Sequence, residues 1–356
     1  MIISSAQLPN EGDELADQLG DELVDIAAQV EVRPFQIETS QHGQRLDVAL
    51  VHLLPEFSRS FLQQLIEAGA VTLAGARAAK PSSRVKAGTV GSVELRPTAQ
   101  SQAYKAEDIA LDIVYQDEHL LIVNKPAGLV VHPAPGNWSG TLLNALLGFD
   151  KYASAIPRSG IVHRLDKNTS GLMVVARSRS AMDALVHMIA ARTVSRQYLA
   201  LTAKPWVGAV QRDVQTPIGR DPRNRLRMAV VDLDRTAGKE AKTTLRVLDS
   251  NAHGALVCCK LHTGRTHQIR VHMASIGLPI LADDVYGGKL GATLQRQALH
   301  AFRLSFVHPV TQVDMAFYAP PPVDFAHAIA EMGLRYNEVP AWNPVSARKG
   351  LQTGAV

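Results

Sequence analysis

Cysteine is scarce in this sequence, and long apolar runs are absent from it. The two cysteines, Cys258 and Cys259, are adjacent in an apolar segment. That spacing is unsuited to a structural disulfide and lacks the partner pair of a zinc site, so we interpret both as buried strand residues. No apolar run approaches the ~18 residues that span a bilayer, and the first twenty residues are acidic, unlike a secretory signal. The sequence therefore predicts a cytoplasmic protein with no membrane partner.

Charge is distributed unevenly along the chain. Residues 1 to 37 contain eight acidic residues and one basic residue, whereas the whole chain carries a net charge of +4. The first 37 residues thus carry −7, which leaves +11 for the other 319 residues. Such a basic body suits a polyanionic partner, because cations bound to phosphates release counterions. We interpret residues 1 to 37 as a flexible acidic extension, with a weak amphipathic helix as the alternative.

Residues 38 to 96 have the pattern of a small separate module. Apolar residues at helical spacing predict a helix from Leu46 to Leu54, which a proline then ends. A second helix is predicted from an N-cap at Ser58 to a stop at Gly69. Two short strands, Val71 to Leu73 and Val90 to Leu95, are predicted after it.

This order of two helices and a small sheet, with basic residues along it, resembles the S4 RNA-binding domain. Arg59 follows Ser58 at a helix N-terminus, where unpaired backbone N–H groups and a cation would converge on a phosphate. We predict that Arg59 and Arg45 contact RNA, and a solvated helix face is the alternative for each. Ala74 stands where the domain often has asparagine, in the turn before Gly75.

Residues 97 to 108 are polar and lack periodicity, so they predict a linker. We assign residues 109 to 325 to a second domain and residues 326 to 356 to a C-terminal tail. Early in this domain, Lys125 and His132 could approach RNA, although a purely structural turn is the favoured interpretation of both.

The segment from His163 to Leu172 places one carboxylate beside cations in a turn between two apolar runs. Ile161 to Leu165 and Leu172 to Ala176 predict short strands on either side of turn-forming residues. Residues two apart on an extended segment point the same way, so Arg164 and Asp166 should share a face.

The pattern H-R-L-D-x-x-[ST]-[ST]-G-L in this segment resembles the signature of the RluA-type pseudouridine synthases. Without that match, an Arg-Leu-Asp triplet is more often a surface ion pair. The resemblance implies that Asp166 is the catalytic aspartate and that Arg164 fills the space left by an everted nucleotide. We also predict that His163 contacts RNA.

Two further blocks extend the resemblance. Tyr198, in Arg-Gln-Tyr-Leu-Ala, matches the tyrosine that the family packs against the flipped uracil and uses for the proton at C5. Arg270, in His-Gln-Ile-Arg-Val-His, matches the arginine that pairs with the catalytic aspartate. The histidines at 262, 267 and 272 are spaced by five, which does not share one helix face, so we predict no metal site.

A loop between Arg212 and Arg227 contains five arginines and is interrupted by prolines and glycine. Guanidinium groups pair with phosphates and stack on unpaired bases, so we predict that Arg220 and Arg225 bind RNA. A merely solvated loop is the alternative.

The implied reaction breaks the bond from N1 to C1′ of uridine, rotates the held uracil and joins C5 to C1′, with no net redox change. It needs no cofactor. One ionised carboxylate acts at the ribose, either as a nucleophile at C1′ or as a base at C2′, and both remain open. A close guanidinium favours the ionised form of a carboxylate, which is the physical reason for Arg270. The nucleotide must first leave the base stack.

The sequence therefore predicts an α+β protein. An S4-like module precedes a catalytic domain with a mixed, mainly antiparallel sheet and peripheral helices. The implied partner is ribosomal RNA of the large subunit or its precursor particle, with helix 69 of 23S RNA as substrate for a monomeric enzyme. Alternatives are another ribosomal or transfer RNA site, or a non-catalytic ribosome-assembly factor. A hydrolase using Ser170 or His163 is disfavoured, because no nucleophile elbow is present.

Overall fold

The computed structural model describes residues 31–78, 80–95, 103–134, 137–224, 227–288 and 293–337. The chain divides into two compact units, Met1–Gln102 and Ala103–Val356. The division falls within the segment predicted as a linker.

In its described part, the smaller unit contains two helices and four strands. Its elements are β1 (Glu31–Gln36), a 3-10 turn (Thr39–Gln41), α1 (Leu46–Leu53), α2 (Arg59–Glu67), β2 (Val71–Leu73), β3 (Ala76–Arg77) and β4 (Val90–Leu95). The strands form one antiparallel sheet in the order β1-β4-β2-β3. Ser58 caps α2, since its hydroxyl accepts the Phe61 N–H at 3.2 Å. Both predicted helices and both predicted strands are confirmed.

Strand β1 was not predicted, because its residues belong to the segment interpreted as an acidic extension. It pairs with β4 along its whole length, from Glu31 opposite Leu95 to Gln36 opposite Val90. Most of its side chains are exposed and only Phe35 is buried, so no apolar alternation marks it in the sequence. Backbone pairing at a sheet edge forms this strand. Residues 1–30 lie outside the described residues.

The turn between β2 and β3 has an unusual backbone. Ala74 has φ +48° and Gly75 has φ +80°. A type I′ hairpin turn has this left-handed conformation at both central positions, and asparagine and glycine adopt it most easily. Alanine is therefore strained at the position where the S4 domain often has asparagine.

The larger unit contains a nine-stranded sheet in the order β5-β6-β7-β15-β8-β14-β13-β9, with β16 paired to β15. Its strands are β5 (Ile113–Gln116), β6 (Leu120–Lys125), β7 (Ser170–Ala176), β8 (Ser195–Thr202), β9 (Gln211–Gln215), β13 (Lys242–Asn251), β14 (Gly254–Leu261), β15 (Leu299–Val307) and β16 (Asp314–Tyr318). A smaller sheet contains β10 (Ile218–Arg220), β11 (Met228–Val230) and β12 (Gly238–Lys239).

Pairing in the large sheet is antiparallel except between β7 and β15, among the strands that the structure describes. Its helices are α3 (Leu142–Phe149), α4 (Arg179–Ala190), α5 (Gln268–Ser275) and α6 (Val323–Glu331), with short 3-10 turns at Ala153–Ala155 and Pro157–Gly160. The predicted fold class is confirmed. Within the described ranges, no helix is both long and apolar enough to span a bilayer.

The apolar core lies on both faces of the large sheet. Cys258 and Cys259 occupy the middle of β14, and both are fully buried. Burial raises the pKa of the Cys258 thiol to about 12 and that of Cys259 well above its ordinary value. The interpretation of this pair as buried strand residues is confirmed.

Two predicted boundaries differ from the structure. The strand expected at Ile161 to Leu165 is wrong, because only an isolated bridge forms there, between Ile161 and Val175. The apolar residues in this segment anchor a loop, and Leu165 is buried without strand pairing. The domain end expected at residue 325 lies inside α6, and Ala328, Ile329 and Leu334 beyond it are buried in the core. Residues 338–356 lie outside the described part.

Candidate active site

A cavity of about 720 Å³ opens in the larger unit. Asp166, Tyr198 and Arg270, the three side chains predicted to be catalytic, all line it. They come from the loop before β7, from β8 and from α5. Three segments that are distant in the sequence therefore supply one site.

The loop that carries Asp166 is held at several points. Leu165 is buried beside it, and the Thr169 N–H donates to the Asp166 carbonyl at 3.0 Å. Gly171 has φ +115°, and a Cβ there would collide with the backbone of Ala301 on β15. The Asp166 side chain itself is 16% exposed. The carboxylate is thus fixed by its surroundings but open to a ligand in the cavity.

Lys125 anchors the same loop through hydrogen bonds to backbone carbonyls. Its ammonium group donates to the carbonyls of Pro126 and Leu129 at 2.8 Å and to that of Lys167 at 3.1 Å. Burial lowers the Lys125 pKa to about 7, although the charge of Asp166 opposes this shift. The side chain is fully buried, which supports the structural interpretation of this residue over RNA contact.

Arg270 bridges two carboxylates. Its Nη1 donates to Asp166 Oδ2 at 3.1 Å, while Nε and Nη2 donate to Asp283 at 2.7 and 2.9 Å. The Arg270 side chain is 5% exposed and that of Asp283 is fully buried. Burial opposes the charge, but the hydrogen bonds and charge of Asp283 and Asp166 raise the Arg270 pKa above its ordinary value. The guanidinium is therefore permanently charged and held in one orientation against Asp166.

Tyr198 is a neutral phenol in this site. It is 5% exposed, and burial raises its pKa to about 12, with the charge of Arg196 opposing the shift. A phenol with that pKa is not an anionic base at neutral pH. It can pack against a base and donate a hydrogen bond, and it can exchange a proton only when its own proton moves in the same step.

His267 and Tyr286 complete the surroundings of the carboxylate. His267 Nε2 lies 3.9 Å from Asp166 Oδ1, and its Nδ1 lies 2.8 Å from the Tyr286 hydroxyl. Burial lowers the His267 pKa, which favours the neutral ring, although the charge of Asp166 opposes this shift. The Arg270 guanidinium lies 5.0 Å from the centre of the Tyr286 ring, a cation–π contact.

Sequence reasoning missed these supporting residues. His267 was weighed only as a metal ligand, and Asp283 was not considered. Asp283 gives no local signal, because its partner Arg270 lies 13 residues away on α5. The histidines at 262, 267 and 272 contact different partners, Thr244, Tyr286 and Thr243, and do not converge on one point.

The residues predicted to bind RNA in the larger unit lie in different settings. Arg164 is exposed and lines the cavity. His163 instead supports the loop, since its Nε2 accepts the Val174 N–H at 3.0 Å and burial lowers its pKa to about 3. Arg220 is exposed at the end of β10, and Arg225 lies outside the described residues.

Arg45 and Arg59 of the smaller unit share one buried carboxylate. Asp47 is 3.0 Å from Arg45 and 2.8 Å from Arg59, and its side chain has no exposed area. Burial alone would raise the Asp47 pKa, but hydrogen bonds from Arg45, Gln63 and Arg59 lower it below its ordinary value. The arginine side chains remain 41% and 51% exposed, so both can still meet a phosphate.

The residues considered for a hydrolase do not form a nucleophilic site. Ser170 is buried and its hydroxyl lies 2.9 Å from His300 Nδ1, while His300 Nε2 faces the Ala319 carbonyl. Ser170 does not line the cavity that contains Asp166. Its hydrogen bond to His300 links the paired strands β7 and β15 within the sheet.

Comparisons with known proteins find matches to both units of the chain. The family model described as RNA pseudouridylate synthase matches residues 119–275, and the model described as S4 domain matches residues 44–90. The ribosomal large subunit pseudouridine synthase D of Neisseria meningitidis serogroup B is 47% identical over 305 residues, which are 82% of this chain and 79% of that protein. The protein of the same name in Xylella fastidiosa is 47% identical over 82% of this chain and 89% of its own length.

Among solved structures, human RNA Pseudouridylate Synthase Domain Containing 1 aligns at 27% identity with a TM-score of 0.49. The alignment covers 61% of this chain and 86% of that one. The two resemblances predicted from the sequence, to the synthases and to the S4 domain, are confirmed by the family models.

Proposed function

Because this chain belongs to the RNA pseudouridylate synthase family, we propose that its substrate is 23S ribosomal RNA and that the modified uridines lie in helix 69. The protein is an RNA pseudouridine synthase, an isomerase that converts uridine to pseudouridine. The relatives described above are named for the large ribosomal subunit, which supports a target in its RNA. Helix 69 follows from the motif resemblance.

In this proposal Asp166 is the group that acts at the ribose. The observation that carries the assignment is the 3.1 Å contact between Asp166 and Arg270 at the wall of an open cavity. The guanidinium holds one oxygen of the carboxylate in place, and the cavity leaves the group accessible to a ribose. Tyr198 packs against the everted uracil and donates from its neutral phenol.

RNA binding is assigned to basic residues of both units. Arg164 enters the space that the everted nucleotide leaves, which offsets part of the cost of unstacking. Arg220, Arg225, Arg45 and Arg59 contact phosphates, and His163 contributes by fixing the loop that carries Arg164 and Asp166. We also propose that the protein acts as a monomer in the cytoplasm.

The decisive variant is Asp166→Asn, which removes the charge and keeps the shape. We expect it to retain RNA binding and to lose pseudouridine formation completely. The matched control is Asp183→Asn on α4, where an exposed carboxylate pairs with Arg179, and it should keep wild-type activity. Equal activity of the two variants would refute the assignment of Asp166.

The target is tested in cells that lack this protein. Carbodiimide treatment followed by primer extension maps pseudouridines in ribosomal RNA, and stops in helix 69 should disappear. Loss at another ribosomal or transfer RNA site would keep the chemistry and change the substrate. An unchanged map, with a ribosome-assembly defect that Asp166→Asn rescues, would favour a non-catalytic assembly factor.

A further inference from the structure

Arg196 is a buried cation in the active-site cavity, and its side chain has no hydrogen-bond or ion-pair partner among the described residues. It lies on β8, is 6% exposed and lines the cavity together with Asp166. Its Nε is buried and makes no hydrogen bond, and no ion pair of this side chain is found in the part of the chain that the structure describes. Burying an unpaired charge is strongly unfavourable, so such a residue needs a reason in a ligand.

The other deeply buried cations of this unit are fully paired. Arg270 donates to two carboxylates, and Lys125 donates to three backbone carbonyls. The charge of Arg196 nevertheless acts on two neighbouring side chains. It adds to the effect of burial in lowering the His163 pKa, and it opposes the effect of burial that raises the Tyr198 pKa. Among the described residues, the cavity therefore offers no carboxylate that pairs with Arg196.

The position of Arg196 relates it to the uracil. Arg196 and Tyr198 are two residues apart on β8, so their side chains project from the same face of the sheet. A Cβ at Gly264 would lie 2.9 Å from Arg196 Nη1, so glycine leaves room for the guanidinium against the loop before α5. A base packed against Tyr198 therefore meets Arg196 beside it.

The reaction creates an anion at this place. When the bond from N1 to C1′ breaks, both bonding electrons stay on the uracil, which then carries one negative charge shared among N1 and the carbonyl oxygens. This holds whether Asp166 adds to C1′ or removes the C2′ proton. The charge disappears when C5 bonds to C1′, C5 loses its proton and N1 gains one, so no oxidant or reductant is needed.

We propose that Arg196 is a catalytic residue that binds a carbonyl oxygen of the detached uracil and stabilises its negative charge. The inference rests on the active-site assignment made above. A buried guanidinium beside a developing negative charge stabilises that charge strongly. It also retains the base while the base rotates.

A backbone phosphate is the rival ligand for this guanidinium. The cavity also has three exposed arginines, Arg158, Arg164 and Arg192, which are accessible to phosphates of an RNA chain. Arg196 is buried, where an everted base can reach and a phosphate cannot. The geometry thus favours the base.

The test compares two leaving groups in one RNA. Arg196→Met and wild type are mixed in excess with an RNA that carries uridine or 5-fluorouridine at the target position. Loss of the N-glycosidic nucleoside is followed by mass spectrometry after digestion. Removing a donor to a developing anion should slow uridine by about 10²–10³-fold. Fluorine at C5 stabilises the uracil anion by itself, so 5-fluorouridine should be slowed by a clearly smaller factor.

Three comparisons complete the design. Arg196→Lys should recover part of the rate, because it keeps the charge. The unfolding midpoint of Arg196→Met should not fall, since it removes an unpaired buried charge. The matched control is Arg192→Met, an exposed arginine of the same cavity, which should weaken RNA affinity and lower the salt slope by about 1 without discriminating between the two bases.

Several results would overturn the proposal. Equal slowing of both bases by Arg196→Met, together with weaker binding and a lower salt slope, would assign Arg196 to a phosphate. A wild-type rate or a much lower unfolding midpoint would make its role structural. The comparison is valid in any RNA that the wild type converts, so an error in the ribosomal target would not affect it. Activity of Asp166→Asn, measured in parallel, would reveal a failure of the active-site assignment instead.

Discussion

The Asp283→Asn substitution tests whether the orientation of Arg270 depends on a second, hidden carboxylate. Asp283 has no exposed area and accepts two hydrogen bonds from Arg270, at 2.7 and 2.9 Å. Its Oδ1 also accepts the N–H groups of Val285 and Tyr286. Asparagine keeps the shape but removes the charge and turns an N–H group toward the guanidinium or toward these backbone donors.

Breaking a buried ion pair from one side costs about 3–5 kcal/mol. Asparagine retains one acceptor oxygen, so the lower end, about 3 kcal/mol, is the expected loss in the free energy of unfolding of the larger unit. In a unit of this size each kcal/mol shifts the melting temperature by about 2–4 °C, which predicts a decrease of about 6–12 °C. Arg270 then has Asp166 as its one remaining carboxylate, and a small displacement of that pair would slow the reaction by up to about 10²-fold.

The assay combines urea denaturation with single-turnover conversion at a temperature where the variant is folded. The neighbouring Asp284→Asn is the matched control, because Asp284 is exposed and carries the same charge. A surface substitution of that kind should change stability by no more than about 0.5 kcal/mol. If both variants lose the same stability and keep the same rate, Asp283 does not hold Arg270 in place.

Three further predictions concern other parts of the molecule. Ala74→Asn should stabilise the smaller unit by about 0.5–1 kcal/mol in thermal unfolding, because asparagine tolerates the positive φ, whereas Ala76→Asn in β3 should not stabilise it. Asp47 has a lowered pKa in the folded protein, so its stabilisation is complete above the ordinary carboxyl pKa and is lost as the pH falls through the lowered value. Asp47→Asn should therefore destabilise the smaller unit at pH 7 and flatten its acid unfolding curve, and an unchanged curve would contradict this reasoning. Lys125→Met should cost about 1–3 kcal/mol by leaving buried carbonyls unpaired, whereas Lys167→Met, at an exposed position, should change urea unfolding little.

Local patterns in the sequence predicted most of the elements. Helices α1 and α2 show helical spacing, a proline follows α1, and α2 has a serine cap and a terminating glycine. Strand β8 is a run of strand-forming residues. These signals are local because capping and periodicity involve residues that are neighbours in the chain. Elements that depend on a distant partner were missed, such as β1, whose exposed residues form a strand only by pairing with β4.

The candidate site shows the same division. The resemblance singled out Asp166, Tyr198 and Arg270, because each lies in a distinctive block. It gave no means of finding Asp283 or the unpaired state of Arg196, since both depend on which side chains the folded chain brings together. His163 was predicted to contact RNA from its place in the motif. In the folded chain its ring accepts the Val174 N–H of β7.

The adjacent thiols in β14 allow the frequency with which this sheet opens to be measured. They are the two sulfhydryl groups of the chain, both sealed from solvent and both resistant to ionisation. An alkylating reagent can therefore reach them only during excursions that separate the central strands. Their labelling rate, followed with and without bound RNA, would show how much the substrate reduces the opening of the sheet. No engineered probe is needed.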